Sequence, residues 1–255
     1  MGDTRFEVIG LPGLPMVVPG DNLVDLIHSG VTSNGEQLRD GDVVCIAQKI
    51  VSKAEARLVR LEDVTPSQAA IELAAQTDKD PRLVELILSE SDEVLRKKPG
   101  VLIVRHKRGF VMANAGIDQS NVDHADGDRA LLLPEDPDAS AAGLREGLQA
   151  LSHARIGVVI VDSANRPWRM GTTSIAIGAA GIVVLDDQRG GEDVYGRELK
   201  VTMINNADAL ATAATMVLGE TIEKIPAAIV RGLNLAGEGQ NASIINRPLA
   251  DDLFR

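Results

Sequence analysis

The chain has 255 residues, with a formal net charge of −11 at pH 7 and a pI near 4.9. Its hydrophobic fraction is 44%, but aromatic residues make up only 2%. This acidic balance excludes a broad basic surface for nucleic acid, and the scarcity of aromatics excludes a stacking platform for single strands. The length predicts one or two domains with an aliphatic core.

The amino-terminal stretch lacks the basic-then-apolar layout of a secretory signal, and no apolar run approaches the roughly 20 residues of a membrane span. We therefore expect a cytoplasmic protein without a membrane partner. Cys45 is the single cysteine and lies inside an apolar run. It cannot form a disulfide within the chain, and we interpret it as a buried small hydrophobe rather than a nucleophile.

The first elements predicted in chain order are a strand over 6–9, a helix over 21–29 and a strand over 42–50. Apolar periodicity over 65–98 predicts two helices, the second running from Pro81 to the Pro99–Gly100 stop. A strand over 101–104 follows, and the basic run Arg105–Arg108 predicts a solvated hairpin tip.

The carboxyl-terminal half alternates strands with helices. The predicted elements are a strand over 129–133, a helix over 139–153, a strand over 156–162, a helix over 206–218 and a strand over 227–232. Residues 171–184 mix glycine with apolar residues, which is typical of close packing against another backbone in a core or a subunit interface.

Two polar stretches stand out because each follows an apolar run. Residues 112–123 contain two carboxylates, three side-chain amides and a serine. These residues alone favour an ordinary polar turn, but Asp118 also offers oxygen to a hard cation. The strand over 156–162 ends in Asp162, followed by Ser163 and a turn with two arginines. Carboxylates hold metals, and guanidinium groups hold phosphates or carboxylates.

Three separated motifs carry a resemblance to a known family. The stretches ANAGIDQSNVD, VDSANRPWRMG and DVYGR with Leu199 resemble the coenzyme F420-0:L-glutamate ligases, which add gamma-linked glutamate to the deazaflavin coenzyme F420. The similarity extends from Gly10 to Arg255. It implies an α+β fold with mixed and antiparallel sheets, flanking helices and a β-rich homodimer interface. It also implies one ligase domain over 1–255 with two intertwined subdomains, and no fused carboxyl-terminal flavin-binding domain.

The resemblance also implies the substrates and ions. They are F420-0 or F420, L-glutamate and GTP, with two divalent ions, Mg²⁺ or Mn²⁺, and K⁺ as a further candidate. Phosphoryl transfer to a carboxylate gives an acyl phosphate that the glutamate amine can attack. Ala164–Asn165 replaces the aromatic–glycine pair of many relatives, which leaves the acceptor preference open. Two alternatives remain, namely another metal-dependent carboxylate–amine ligase or phosphotransferase, and a non-catalytic nucleotide-binding protein.

Site residues are carried over from the family position by position. The metal-binding set is Asp118, Asp162 and Ser163, with the two acids expected to meet around the cations. The chain has no GxxxxGK[ST] phosphate loop, so a nucleotide site would have to be assembled from separated loops. The nucleotide-binding set is Leu11, Pro12, Gly13, Leu14, Gln48, Lys49, Lys53, Asn121, Arg231 and Gly232.

The remaining implied residues serve catalysis and the other substrates. On general grounds lysines are surface groups and the loop over 186–197 is only a long turn, so these roles depend on the resemblance. The catalytic set is Lys53, Arg166 and Arg169. The substrate-binding set is Asn114, Tyr195 and Arg197.

Overall fold

The computed structural model describes residues 5–165 and 168–253. The chain divides into two compact units, each assembled from several chain segments. Unit 1 takes the described residues of Met1–Met16, Asn22–Ala47 and Asp136–Ile245. Unit 2 takes those of Val17–Asp21, Gln48–Glu135 and Asn246–Arg255.

The regular elements are numbered in chain order. The strands are β1 (Glu7–Gly10), β2 (Val43–Ala47), β3 (Leu58–Arg60), β4 (Ser91–Lys98), β5 (Val101–His106), β6 (Val111–Ala113), β7 (Arg129–Leu131), β8 (Gly157–Asn165), β9 (Thr172–Ala180), β10 (Leu185–Asp187), β11 (Met203–Asn205) and β12 (Ala227–Arg231). The α-helices are α1 (Leu23–Ser33), α2 (Gln48–Ala54), α3 (Gln68–Thr77), α4 (Pro81–Ser89), α5 (Pro137–Ser152) and α6 (Asn206–Leu218). In the described ranges, every helix is too short or too polar to cross a membrane.

Unit 1 is built on a mixed sheet with the strand order β1-β12-β2-β8-β9. β2 and β8 are parallel, and the other pairs are antiparallel. The central strands are apolar along nearly their whole length because both faces of the sheet are covered. α5 and α6 pack against this sheet, and α6 approaches closely because its buried face carries the small residues Ala207, Ala211 and Ala214. The predicted α+β fold is confirmed.

Glycine makes a second close approach possible, between α5 and β9. A Cβ atom at Gly178 would collide with the carbonyl of Pro137, the first residue of α5. The prediction of tight backbone packing over 171–184 is therefore confirmed for the core. The predicted strand over 156–162 is too short, since β8 continues through Asn165 by pairing with β9.

Unit 2 contains the antiparallel sheet β4-β5-β6, the pair β3-β7 and the packed helices α3 and α4. Its core is aliphatic, with Leu73, Val84, Ile87 and Leu102 among its buried members. The prediction that the second helix runs on to residue 98 was wrong. α4 ends at Ser89, and residues 91–98 form β4, because cross-strand pairing with β5 overrides a weak local preference.

The predicted basic hairpin tip was also only partly right. Arg105 and His106 belong to β5 and are 9% and 4% exposed. Arg105 donates to the Glu93 carboxylate at 2.7 Å. Only the residues that follow His106 form the exposed turn. The basic run Arg105–Arg108 therefore consists of two buried strand residues followed by turn residues.

A partly buried acid–base cluster connects β5 to the end of α4. The Arg57 guanidinium donates to Glu90 Oε2 at 2.7 Å. His106 Nε2 lies 3.6 Å from the same oxygen, which is an electrostatic contact rather than a short hydrogen bond. His106 and Arg57 together lower the pKa of Glu90, against the opposing effect of its partial burial. This carboxylate is therefore stabilised in its charged form by the fold.

Unit 1 contains a buried ion pair that joins the end of β12 to the segment before β2. Arg231 donates to both oxygens of Asp42, at 2.9 Å from Nε and 2.8 Å from Nη2. It also donates to Glu36 at 2.9 Å and to the carbonyl of Gln37 at 2.8 Å. Asp42 is 1% exposed, so its charge depends on Arg231 for compensation.

We predict that Arg231→Gln lowers the free energy of unfolding by about 3 kcal/mol, because it leaves the Asp42 charge buried and unpaired. Urea unfolding followed by circular dichroism measures the change. Arg155→Gln is the matched control, since its pair with Asp40 lies on the surface and its loss should leave the midpoint almost unchanged. Equal effects of the two changes would contradict the structural role of Arg231.

A second prediction concerns pH. Because the pKa of Glu90 is lowered from its ordinary value of 4.5, its contribution to stability is complete above pH 4.5 and is lost as the pH falls further. We expect Glu90→Gln to cost about 1–2 kcal/mol at pH 7 and progressively less below pH 4.5. Chemical unfolding of both proteins across this range tests it, and a difference that does not depend on pH would contradict it.

Candidate functional site

Helix α2 presents the first group of candidate residues. The strand predicted over 42–50 was wrong at its end, because β2 stops at Ala47 and Gln48 already begins α2. Gln48 and Ser52 are 2% and 0% exposed. Lys49 and Lys53, also four residues apart, are half-buried. Because residues four apart lie on the same face of a helix, Gln48 and Ser52 form a buried polar pair, and Lys49 and Lys53 place two ammonium groups beside it.

The loop after β6 presents the second group. Asp118 is fixed by a backbone bridge to Leu131, with N–O distances of 2.9 and 2.8 Å. The turn before it places Asn114 and Ala115 at φ values of +52° and +55°. A left-handed conformation costs a residue with a Cβ about 1–2 kcal/mol. Tertiary packing must maintain this turn, and Ala115 is completely buried.

These two groups, both in unit 2, converge on the Asp118 carboxylate. Gln48 Nε2 donates to Asp118 Oδ2 at 3.0 Å, and the Lys49 ammonium forms an ion pair with the same oxygen. The Ser52 hydroxyl donates to Gln48 Oε1 at 2.9 Å, which keeps the amide nitrogen of Gln48 directed at Asp118. The carboxylate thus has two donors from one helix.

Lys53 reaches the same loop a little further along. Its Nζ donates to the carbonyl of Asn121 at 3.1 Å. Burial lowers the pKa of Lys53, the Lys49 ammonium lowers it further, and Asp123 raises it. Two neighbouring ammonium groups that are partly removed from water favour an anionic ligand, which would offset both effects.

Asn114 offers an acceptor to a ligand. Its Oδ1 atom is buried, and no described residue donates to it. A buried acceptor is normally satisfied by protein, water or ligand. Its position in the strained turn four residues before Asp118 makes a substrate amine or an ordered water a suitable donor.

Unit 1 holds the other predicted metal-binding residues. Asp162 is 8% exposed and pairs with Ile175 across β8 and β9. The Ser163 hydroxyl donates to Glu220 Oε2 at 2.6 Å. Glu220 was missed by the sequence analysis, because an exposed glutamate after a helix carries no pattern. Only the packing of α6 on β9 brings it to Ser163, 57 residues away in sequence.

The donor chemistry of both sets suits a hard divalent cation. Asp118, Asp162, Ser163 and Glu220 all present oxygen, which Mg²⁺ and Mn²⁺ prefer. Within the part of the chain that the structure describes, no three acidic, histidine or cysteine side chains form a ready metal-binding group. Water and phosphate oxygens would therefore have to complete the coordination, as is usual for Mg²⁺.

The glycine- and proline-rich loop after β1 has a mixed character. Leu11 is completely buried, and its N–H donates to the carbonyl of Ala227 at 2.9 Å. Pro12 and Gly13 are exposed and Leu14 is partly buried. Any contact of this loop with a nucleotide would involve these three residues or the backbone, and not the side chain of Leu11.

Two other predicted nucleotide contacts lie at the end of β12. The guanidinium of Arg231 is already engaged by Asp42 and Glu36, so its contacts do not support a nucleotide role. Gly232 has φ of +97°, and an added Cβ would lie 2.8 Å from the carbonyl oxygen of Arg5. Close backbone packing therefore accounts for glycine at this position.

The predicted substrate-binding residues Tyr195 and Arg197 and the predicted catalytic residue Arg169 lie on exposed connections of unit 1. The Asp193 carboxylate accepts from the backbone N–H groups of Tyr195 at 2.8 Å and Arg197 at 2.9 Å, which shapes their loop. Tyr195 is 93% exposed. Arg169 is exposed in the β8–β9 connection, and Arg166 lies outside the described residues.

Comparisons with known proteins agree with the resemblance. Residues 13–232 match the family described as F420-0:Gamma-glutamyl ligase. The coenzyme F420:L-glutamate ligase of Methanothermobacter thermautotrophicus is 43% identical over 253 residues, which cover 98% of this chain and 99% of that protein. The protein of the same name from Methanopyrus kandleri is 44% identical over 244 residues, covering 94% and 93%.

A third relative comes from another genus. The coenzyme F420:L-glutamate ligase of Archaeoglobus fulgidus is 43% identical over 251 residues, covering 98% of this chain and 97% of that protein. Identity at this level across nearly the full length of both chains shows common descent. The chain belongs to the F420-0:gamma-glutamyl ligase family.

Proposed function

We propose that this protein is a GTP-dependent ligase that adds L-glutamate through gamma-linkages to coenzyme F420-0 or F420, in F420 biosynthesis. Family membership supports the ligase class and the substrates. The observation that carries the proposed mechanism is the convergence of Lys49 and Gln48 on Asp118, with Lys53 on the adjoining loop. This arrangement supplies cations for phosphate beside a carboxylate for a metal.

The reaction needs an activated carboxyl group, because the oxygen of a carboxylate is a poor leaving group. In the proposed mechanism an acceptor carboxylate oxygen attacks the terminal phosphorus of GTP, and GDP leaves. The resulting acyl phosphate is attacked by the glutamate amine, which loses a proton as phosphate departs and the amide forms. Phosphoryl transfer depends mainly on positioning and on neutralising charge.

In this mechanism α2 holds the nucleotide phosphates. The ammonium groups of Lys49 and Lys53 offset phosphate charge, and they lie on one face of the same helix. Asn121 positions the nucleotide through the loop that Lys53 already contacts. The resemblance also implies nucleotide contacts for Pro12 and Gly13, which are exposed in unit 1.

The metal-binding role falls to oxygen donors of the two units. Asp118 would hold a divalent ion in unit 2, and Asp162 with Ser163 would hold one in unit 1, where Glu220 adds a carboxylate. Bound Mg²⁺ or Mn²⁺ supplies charge stabilisation for the transferred phosphoryl group. K⁺ remains a proposed additional ion.

Guanidinium groups and a buried acceptor would position the remaining substrates. Arg169 and Arg197 are exposed in unit 1 and suit the carboxylate and phosphate groups of the acceptor and of glutamate. Arg166 belongs to the same proposal. Tyr195 offers a phenol ring to the acceptor, and Asn114 Oδ1 offers an acceptor to the glutamate amine.

We further propose a homodimer. Unit 1 exposes large apolar side chains on connections and on α6, including Met170, Val194, Val201 and Met216, each at least 84% exposed. The homodimer interface that the resemblance implies would cover such side chains. Light scattering coupled to size exclusion should give twice the 27.0 kDa mass of the chain, and a monomer at micromolar concentration would contradict the dimer.

The activity itself is tested with F420-0, GTP, L-glutamate and Mg²⁺ or Mn²⁺, analysed by mass spectrometry. The proposed function requires an acceptor that gains glutamate residues and GDP formed in equal amount. Nucleotide turnover without a glutamyl product would indicate a different ligase or phosphotransferase. Binding of GTP without turnover in the complete mixture would indicate a non-catalytic protein.

Asp118→Asn and Asp162→Asn should each lower the ligation rate by on the order of 100-fold or more, because a lost metal ligand removes several kcal/mol of charge stabilisation. Circular dichroism should show an unchanged fold. Asp40→Asn is the matched control, since this carboxylate lies on the surface with Arg155 and its loss should leave the rate unchanged. Near-normal rates in both test variants would reject the metal assignment.

A further inference from the structure

We propose that Lys49 is a built-in counter-ion of Asp118 that changes partners during ligand binding. Lys49 neutralises the Asp118 carboxylate before a divalent cation arrives, leaves it when the cation binds there, and then contacts a phosphate of the nucleotide. The inference rests on the proposed role of Asp118 as a metal ligand. It adds a positioning function for Lys49 and a physical reason for cation and nucleotide to bind together.

The starting point is competition at a single oxygen. Asp118 Oδ2 accepts from the Gln48 amide at 3.0 Å and from the Lys49 ammonium. A carboxylate oxygen has two lone-pair sites, and here both face protein donors. A divalent cation at about 2.1 Å from this oxygen requires one of those sites. A cation that binds Oδ2 must therefore displace one of the two donors. A cation that binds the other oxygen, Oδ1, still lies a few ångströms from the Lys49 ammonium, and the repulsion between the two positive charges also favours departure of Lys49.

The two donors differ in how easily they can leave. Gln48 is 2% exposed, and its carboxamide is held by the Ser52 hydroxyl at 2.9 Å. The Lys49 side chain is 29% exposed and has a flexible four-carbon stem. Repulsion from a divalent cation also acts on the ammonium far more strongly than on the neutral amide. Lys49 is therefore the group that leaves.

The position of Lys53 indicates where the released ammonium finds an anion. Lys53 lies four residues further along α2, and its Nζ contacts the Asn121 carbonyl at 3.1 Å. Once Lys49 is released, two ammonium groups and a divalent cation are close together without the Asp118 charge to balance the first. A polyphosphate provides several anionic oxygens at this point. Binding of the cation breaks the ion pair between Lys49 and Asp118. Binding of the nucleotide gives Lys49 a new ion pair with a phosphate. Each ligand therefore raises the affinity of the protein for the other.

A simpler role for Lys49, as a phosphate contact without exchange, makes a different prediction. In that case removal of its charge weakens nucleotide binding and does not strengthen cation binding. Under the exchange, removal of Lys49 eliminates a competitor at Asp118, and the carboxylate becomes more available to a cation. The direction of the change in cation affinity separates the two roles.

The test uses the full chain with Mn²⁺ alone, whose free concentration is measured by electron paramagnetic resonance. Lys49→Met keeps the side-chain volume and removes the charge. We expect Lys49→Met to bind Mn²⁺ about tenfold more tightly than the wild type without nucleotide. We also expect its affinity for a non-hydrolysable GTP analogue at saturating Mn²⁺ to fall by about tenfold. Lys49→Gln is a second variant for the same measurements, should the first fold poorly.

Lys53→Met is the matched control, because it removes the same charge from the same helix face without touching Asp118. Its Mn²⁺ affinity should change by less than about threefold. Mn²⁺ binding by Lys49→Met that is unchanged or weaker than the wild type would overturn the exchange. An equal gain in Mn²⁺ affinity in Lys53→Met and Lys49→Met would also overturn it, because the change in net charge alone would then explain the gain.

Asp118→Asn distinguishes failure of the exchange from failure of the metal assignment. If Asp118→Asn binds Mn²⁺ as well as the wild type does, the metal assignment fails and the exchange fails with it. If Asp118→Asn weakens Mn²⁺ binding while Lys49→Met gives no gain, the metal assignment stands and only the exchange fails. In the double variant the gain from Lys49→Met should disappear.

Discussion

The candidate site of unit 2 depends on the Asp118 carboxylate being held between two rigid supports. On one side the backbone of Asp118 is fixed by its bridge to Leu131. On the other side α2 supplies Gln48 and Lys49 as donors, and Ser52 fixes the first of them. A polar network in a partly dry environment is stable only when its members are paired. Each member therefore restricts the positions of the others.

The sequence predicted the elements whose patterns are unambiguous. The Ala-rich helix over 206–218 is α6 without a change of boundary, and the strand over 227–232 differs from β12 by one residue. Prediction from the sequence failed where a pattern is compatible with both a helix and a strand. Ile50 and Val51 resemble a continued strand, whereas the polar pair Gln48 and Ser52, four residues apart, was the overlooked helix signal. β4 has a charged sequence whose structure comes from its partner strand.

The candidate site shows the same division. Asp118 and Asn121 stood out because polar residues that follow an apolar run carry a signal, whereas Lys49 and Lys53 were selected through the resemblance alone. Glu220 carried no such signal, since its contact with Ser163 exists only after α6 packs on the sheet. Arg231 has contacts that the sequence did not indicate. The resemblance assigns it to the nucleotide, and the structure pairs it with Asp42 and Glu36.

The sequence has no phosphate loop, so in the proposed site lysine side chains rather than backbone N–H groups would neutralise the phosphate charge. Backbone N–H groups are neutral dipoles, and a loop made of them needs no counter-ion when the ligand is absent. Lysine side chains on α2 carry full charge, and Lys49 is paired with Asp118 when nucleotide is absent. The carboxylate that we propose as a cation ligand is therefore also the counter-ion of Lys49. Under the proposed exchange, charge balance at Asp118 and Lys49 would therefore couple the binding of the cation to the binding of the nucleotide.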